Sequence, residues 1–156
     1  HIIGDFFSPR EREEYMSIIK ENHLAPYVIL HGRQAGQMLD LLFELCDFGI
    51  GSLGRHRSGI TNIKTLKNRE YAARGIPFIY SEIDEDFENM PYIMKIPANE
   101  EAVDIKQILN FYNQLHITPL EIRNSIRHLS WNNQMKKVLD EMQKKDKINP
   151  NNNNIG

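Results

Sequence analysis

The residues best suited to chemistry lie between Gly51 and Glu70. Gly51, Gly54 and Gly59 share a short stretch with Arg55, His56 and Arg57. Glycines let backbone approach a ligand closely, and the basic side chains favour an anion. Thr65, Leu66 and Lys67 follow at the start of a helical segment, where unpaired N–H groups and the positive end of the helix dipole suit a phosphate. Within that segment Leu66, Glu70 and Ala73 fall on one face, with Lys67 one turn before Glu70. A carboxylate buried on a small, apolar face needs hydrogen-bond donors, and the two hydroxyls of a ribose match its two acceptor oxygens. The same residues also fit a plainer arrangement. Lys67 and Glu70 make an ordinary solvated helix pair, and the glycines and basic residues make an ordinary surface loop.

Other titratable residues offer less. The six histidines (1, 23, 31, 56, 116 and 128) show no metal-ligand spacing, so no metal is expected. Ser52 and Ser58 lack the Gly-x-Ser-x-Gly elbow of a serine hydrolase. The acidic run from Glu82 to Glu88 reads most simply as a solvated loop, which in an α/β fold lies on the ligand side of the sheet, or equally as charge that keeps that edge soluble. Cys46 is the single cysteine, which excludes an internal disulfide and fits a reducing compartment.

These residues must be carried by an alternating pattern of elements. Buried strands are expected at His1–Ile3, Pro26–Leu30, Asp47–Ile50, Ile76–Tyr80 and Tyr92–Ile96, five in all. Ser8-Pro9 with Glu11 opens a helix that runs to about Asn22. Further helices are expected over 37–45, 64–74 (closed by Gly75), 101–113, 118–128 and 131–143. Strand–helix alternation with short loops implies an α/β domain with a mainly parallel sheet and helices on both faces. Ligands of such sheets bind beyond the carboxyl ends of the strands. The domain is expected to cover 1–143, followed by a polar, low-complexity tail over 144–156 of low order.

Bulk properties narrow the class. The chain has 156 residues, a formal charge of −2, 40% hydrophobic and 26% charged residues. Lys and Arg are scattered, which gives nucleic-acid binding no support. No apolar run is long enough to span a bilayer, no secretory signal is visible, and a cytoplasmic setting is expected. The chain opens on His1 without an initiator Met and reads as part of a longer protein.

The stretch Leu66-Lys67-Asn68-Arg69-Glu70-Tyr71-Ala72-Ala73-Arg74-Gly75-Ile76-Pro77 resembles the Leu-Lys-x-x-Glu-Tyr-x-Ala-x-Gly-x-Pro motif of group-1-type retaining glycosyltransferases, which have the GT-B fold. Weaker likenesses fall in the same order. Ile2-Ile3-Gly4-Asp5 resembles that family's Val-Gly-Asp-Gly strand end, and Val28 to Arg33 its Phe-x-Gly strand end. Cys46 to Ile50 is similar to Ala-Asp-Val-x-Val, and Ser130-Trp131 to the closing Ser-Trp helix.

The resemblance implies a Rossmann-like C-terminal half that binds a nucleotide-diphosphate sugar, its donor substrate, with no metal or other cofactor. Glu70 would hold the ribose, and Thr65, Leu66 and Lys67 the diphosphate. Arg55 and Arg57 would assist at the phosphates, and Arg33 or Gln34 would border the base. Asn62 stands eight positions before Glu70, where many relatives carry an acidic residue used on the sugar. An amide there still hydrogen-bonds hydroxyls but lacks a carboxylate's charge. The family's first strand of this half, with its Arg- and Lys-bearing loop, would precede His1, as would the acceptor-binding N-terminal domain. This fragment alone is then expected to be inactive. An open sheet edge would invite a second copy of the chain, and peripheral association with the cytoplasmic face of a membrane fits the full-length protein. Two alternatives stay open: a nucleotide-sugar epimerase, and a non-catalytic GT-B-like partner or regulatory domain.

Overall fold

The computed structural model describes residues 1–148, with side chains as far as Lys144. The chain forms two compact units, one over His1–Cys46 and one beginning at Asp47.

In the first unit, α1 (Pro9–Glu21) starts where the sequence signals it. Ser8 Oγ accepts the Glu11 N–H at 3.1 Å, and Glu11 Oε2 accepts the Phe7 N–H at 2.6 Å. Pro9 takes the first helical position, where its missing N–H costs nothing. The helix α2 (Gly36–Glu44) follows, with Leu42 buried. The two strands expected here shrink to one parallel bridge between Ile2 and Leu30. The cause is local. The Tyr27 and Val28 N–H groups both turn back onto the Leu24 carbonyl, at 2.9 and 3.0 Å, so the first half of the Pro26–Leu30 run belongs to a turn.

The second unit is mixed α/β around a small parallel sheet. Its strands are β1 (Gly49–Ile50), β2 (Phe78–Tyr80) and β3 (Ile93–Lys95), in the order β1-β2-β3. Gly49 aligns with Phe78, and Phe78 with Ile93, so β2 is central and fully buried. The crossover from β1 to β2 contains a 3-10 turn (Arg55–Ser58) and α3 (Leu66–Arg74). Then come α4 (Ile105–Asn113), α5 (Pro119–Ser125) and α6 (Trp131–Ile148). The core joins Ile63 and Ala72 to Phe78, Tyr80, Phe87 and Tyr92, and is closed by Ile122 and Ile126.

Caps explain most boundaries. Thr118 and Glu121 form a capping box with Pro119 at the first position of α5. Asp104 caps α4, accepting the Lys106 N–H at 2.8 Å, so this helix starts later than its sequence pattern suggests. Gly75 ends α3 in the left-handed conformation, at φ +79°, where α5 passes so close that a Cβ would lie 2.6 Å from the Pro119 carbonyl oxygen. The segment expected as one helix over 118–128 breaks after Ser125 and continues as a 3-10 turn, Arg127–Leu129. Helix α6 continues past 143 into the expected tail, whose residues 149–156 lie outside the described residues.

A candidate anion and ribose site at the carboxyl edge of the sheet

Loops leaving the three strand ends meet at one edge of the sheet in the second unit. Beyond β1 and β2 the chain continues in extended pairs. Ser81 N–H donates to the Ser52 carbonyl at 3.0 Å, while Ile83 exchanges two 2.8 Å bonds with Thr61 and Ile63, flanking the bridge from Asn62 to Ile83. Gly51 is required at the start of this passage, since a Cβ there would come within 2.7 Å of the Ile79 carbonyl oxygen and 2.8 Å of Asn68 Oδ1.

Beyond the fully buried β2 and Ser81, burial alternates only over 82–86. Glu82 and Asp84 are buried, Ile83 and Glu85 exposed, and Asp86 half-buried. This corrects the expectation of a solvated loop at Glu82 and Asp84, whose buried carboxylates have hydrogen-bond partners, while Glu85 and Glu88 are exposed. Asp84 Oδ2 accepts from Asn68 Nδ2 at 3.1 Å and from Arg69 NH1 at 3.3 Å, and Arg69 NH2 also pairs with Asp86. Arg69 NH1 further donates to the Thr65 carbonyl at 3.0 Å, and the guanidinium lies over the Phe87 ring. Glu88 Oε1 accepts from Tyr80 Oη at 2.9 Å, Lys95 Nζ at 2.5 Å and the Asp84 N–H at 3.2 Å. Burial raises the Glu88 carboxyl, but these three donors outweigh it and hold the group below its ordinary pKa. The Tyr80 hydroxyl is driven well above its ordinary pKa, first by burial and then by its bond to Glu88.

A second clasp ties the loop after β1 to the loop after β3. Arg57 Nε donates to Glu100 Oε1 at 2.8 Å, its NH2 pairs with Oε2, and His56 Nε2 lies 2.9 Å from Oε1. Hydrogen bonds from Arg57 and then His56 hold the Glu100 carboxyl down at about 2. The Arg55 N–H donates to Glu82 Oε1 at 2.7 Å. Among the described residues, Glu82 Oε2, Asn68 Oδ1 and His56 Nδ1 are buried without a hydrogen-bond partner.

The expected ligand residues fall into two groups. Thr65 caps α3, its Oγ1 accepting the Asn68 N–H at 3.4 Å, and Leu66 and Lys67 occupy the exposed first turn. Glu70 stands a turn further on the same exposed side. The buried, apolar face expected around Glu70 is not there. The face holding Leu66, Glu70 and Ala73 is the solvent face of α3, and the buried face holds Asn68 and Ala72. Glu70 pairs with Arg74 at 2.7 Å rather than with Lys67. Asn62 is exposed, its Nδ2 donating to Thr61 Oγ1 at 3.2 Å. Arg55 and Arg57 reach the same edge through the 3-10 turn. Arg33 and Gln34 belong to the first unit, where Arg33 pairs with Asp5 at 3.3 Å and Gln34 Nε2 donates to the His31 carbonyl at 2.7 Å.

Sequence reasoning missed Asn68, Arg69, Glu82, Asp84 and Asp86. The available signal was spacing: Phe78, Tyr80, Glu82 and Asp84 lie two apart, so an extended chain puts these carboxylates on the side of the core aromatics. Among the described residues, no group of three or more His, Cys, Asp or Glu side chains is arranged to hold a metal ion. No described helix is long and apolar enough to cross a membrane. No protein-family model, curated protein or solved structure matches this chain.

Proposed function

We propose that this chain is the Rossmann-like donor-binding part of a retaining GT-B glycosyltransferase, taking a nucleotide-diphosphate sugar and passing the sugar to an acceptor held by another domain, in the cytoplasm. The observation that carries this reading is the placement of Lys67 and Glu70. They stand a turn apart on the solvent face of α3, a helix that leaves the carboxyl edge of a parallel sheet.

In this reading the first-turn amides of α3, with Thr65, Leu66 and Lys67, receive the diphosphate, and Arg55 and Arg57 add charge nearby. Glu70 accepts the ribose hydroxyls, and Asn62 hydrogen-bonds the sugar. Ribose would displace or share the exposed Arg74 contact of Glu70, and surface pairs of this kind are worth only about 0–1 kcal/mol. Catalysis would be electrostatic, with helix amides and basic side chains stabilising the departing diphosphate. Asn62, an amide where a carboxylate would serve the sugar, favours a second reading in which the domain binds the donor or a related nucleotide without turnover.

Calorimetric titration of the full chain with UDP-, GDP- and ADP-glucose tests the proposal. One donor should bind, and Glu70→Ala should weaken it at least about tenfold, the equivalent of about 1.4 kcal/mol. Failure of the wild type to bind any of the three would sink the reading. Binding with no turnover in the presence of the acceptor domain would favour the non-catalytic one.

A further inference from the structure

We propose that Arg69 is a positioning residue of this site: gripped by Asp84 and Asp86, it fixes the first turn and roll of α3 without touching the ligand. The inference rests on the donor-site reading above.

The guanidinium is committed on several sides. It donates to the Thr65 carbonyl and to both oxygens of Asp84, pairs with Asp86, and stacks over Phe87, leaving its side chain 22% exposed. Its charge is therefore spent inside the protein. The neighbouring Asn68, fully buried, donates to the same Asp84 oxygen. Successive helical residues project about 100° apart, so two anchors on one carboxylate define the rotation of α3 about its axis. That rotation is what turns Lys67 and Glu70 to solvent.

The anchor is itself held. The Asp84 N–H donates to Glu88, and Glu88 is clasped by Lys95 of β3 and Tyr80 of β2. The first turn of α3 is thus braced against two strands. There is also an electrostatic side. A guanidinium in the first turn of a helix opposes the positive end of the dipole, and Asp84 with Asp86 offsets that cost. Conversely, removing Arg69 would leave two uncompensated carboxylates beside the amides that are to receive phosphate.

Inorganic pyrophosphate is the probe, because it reports on the phosphate cradle independently of ribose and base. Arg69→Gln should weaken pyrophosphate binding about tenfold, or about 1.4 kcal/mol. Amide exchange across 66–69 of the unliganded variant should become faster. Arg69→Lys keeps the charge but not the planar fork, so it should recover only part of each effect. Weaker binding with unchanged exchange would mean that Arg69 acts through its charge or by direct contact and not by holding the helix, and would overturn the proposal, as would faster exchange with unchanged binding. If Arg69→Gln does not fold, Asp86→Asn loosens the same grip while keeping Asp84, and it too must speed exchange and weaken binding. No change in either readout overturns the proposal. A wild type that binds pyrophosphate but no nucleotide sugar refutes the ribose reading and leaves the positioning role standing, whereas one that binds neither refutes both.

Discussion

Asp84 is the residue whose loss should cost this fold most for its size. It is fully buried and accepts from Asn68 Nδ2 at 3.1 Å and from two Arg69 nitrogens at 3.3 and 3.5 Å. Truncating it to alanine leaves the Asn68 amide, whose Oδ1 is already without a partner, with a buried and unpaired donor as well. That alone costs about 1–3 kcal/mol. Breaking a buried ion pair by removing one partner costs about 3–5 kcal/mol. Arg69 keeps Asp86 and some solvent contact, so the lower half of that range applies to it. The expected loss for Asp84→Ala is about 4–7 kcal/mol, a large share of the roughly 5–15 kcal/mol that a domain has to lose. A cycle built on Asp84→Asn and Arg69→Met separates the pair from simple loss of packing. Arg69→Met leaves a buried carboxylate facing only an amide, whereas the double variant leaves two neutral groups. Urea unfolding followed by helical circular dichroism should show the double variant less destabilised than the sum of the singles by about 2 kcal/mol. Additivity within about 0.5 kcal/mol would refute the reasoning, because the two residues would then not act as one unit.

Gly75→Ala should cost about 2–4 kcal/mol, combining a left-handed alanine with a Cβ pressed onto the Pro119 carbonyl; thermal unfolding would read it, and a loss under about 1 kcal/mol would mean that α5 yields freely. The Glu100 carboxyl, held down at about 2 by Arg57 and His56, contributes stability that is fully present above the ordinary carboxylate pKa and is lost as pH falls through that lower value. Wild type and Glu100→Gln should therefore differ in Tm near pH 6 and converge towards pH 2, and a gap independent of pH would contradict the clasp. Thr118→Ala should lose about 1 kcal/mol by opening the capping box of α5, and an unchanged Tm would show that Pro119 alone defines that helix start.

What could be read from sequence divides along the range of the interactions involved. Ser8-Pro9, Thr118-Pro119 and Gly75 act within a turn of chain, and the helix ends they announce are where the residues put them. The central strand was also legible, because Phe78, Ile79 and Tyr80 are buried together and need no partner pattern to be recognised. The strands of the first unit were not. Val28 and Tyr27 have strand-forming side chains, but their N–H groups are claimed by Leu24, a backbone choice that side-chain pattern does not encode. The site was half legible for the same reason. Lys67 and Glu70 could be placed on one helix by counting, but the inner face could not be chosen, because it is selected by Asp84, which lies 15 residues from Arg69. A run of charge reads as solvated until the arginine that draws it inward is known.

The parallel register of the sheet also affects the order in which this site comes into being. No pair of its strands can close through a hairpin. Gly49 meets Phe78 across 29 residues, whereas Phe78 meets Ile93 across 15. Closing the longer loop costs about 0.6 kcal/mol more chain entropy, so pairing of β2 with β3 is favoured as the earlier event, with φ-values higher at Ile93 than at Ile50 as its signature. The edge of β1 then joins only after α3 has been laid against the sheet. The loop from β1 to α3, where phosphate is proposed to bind, would then be completed by the last strand to arrive.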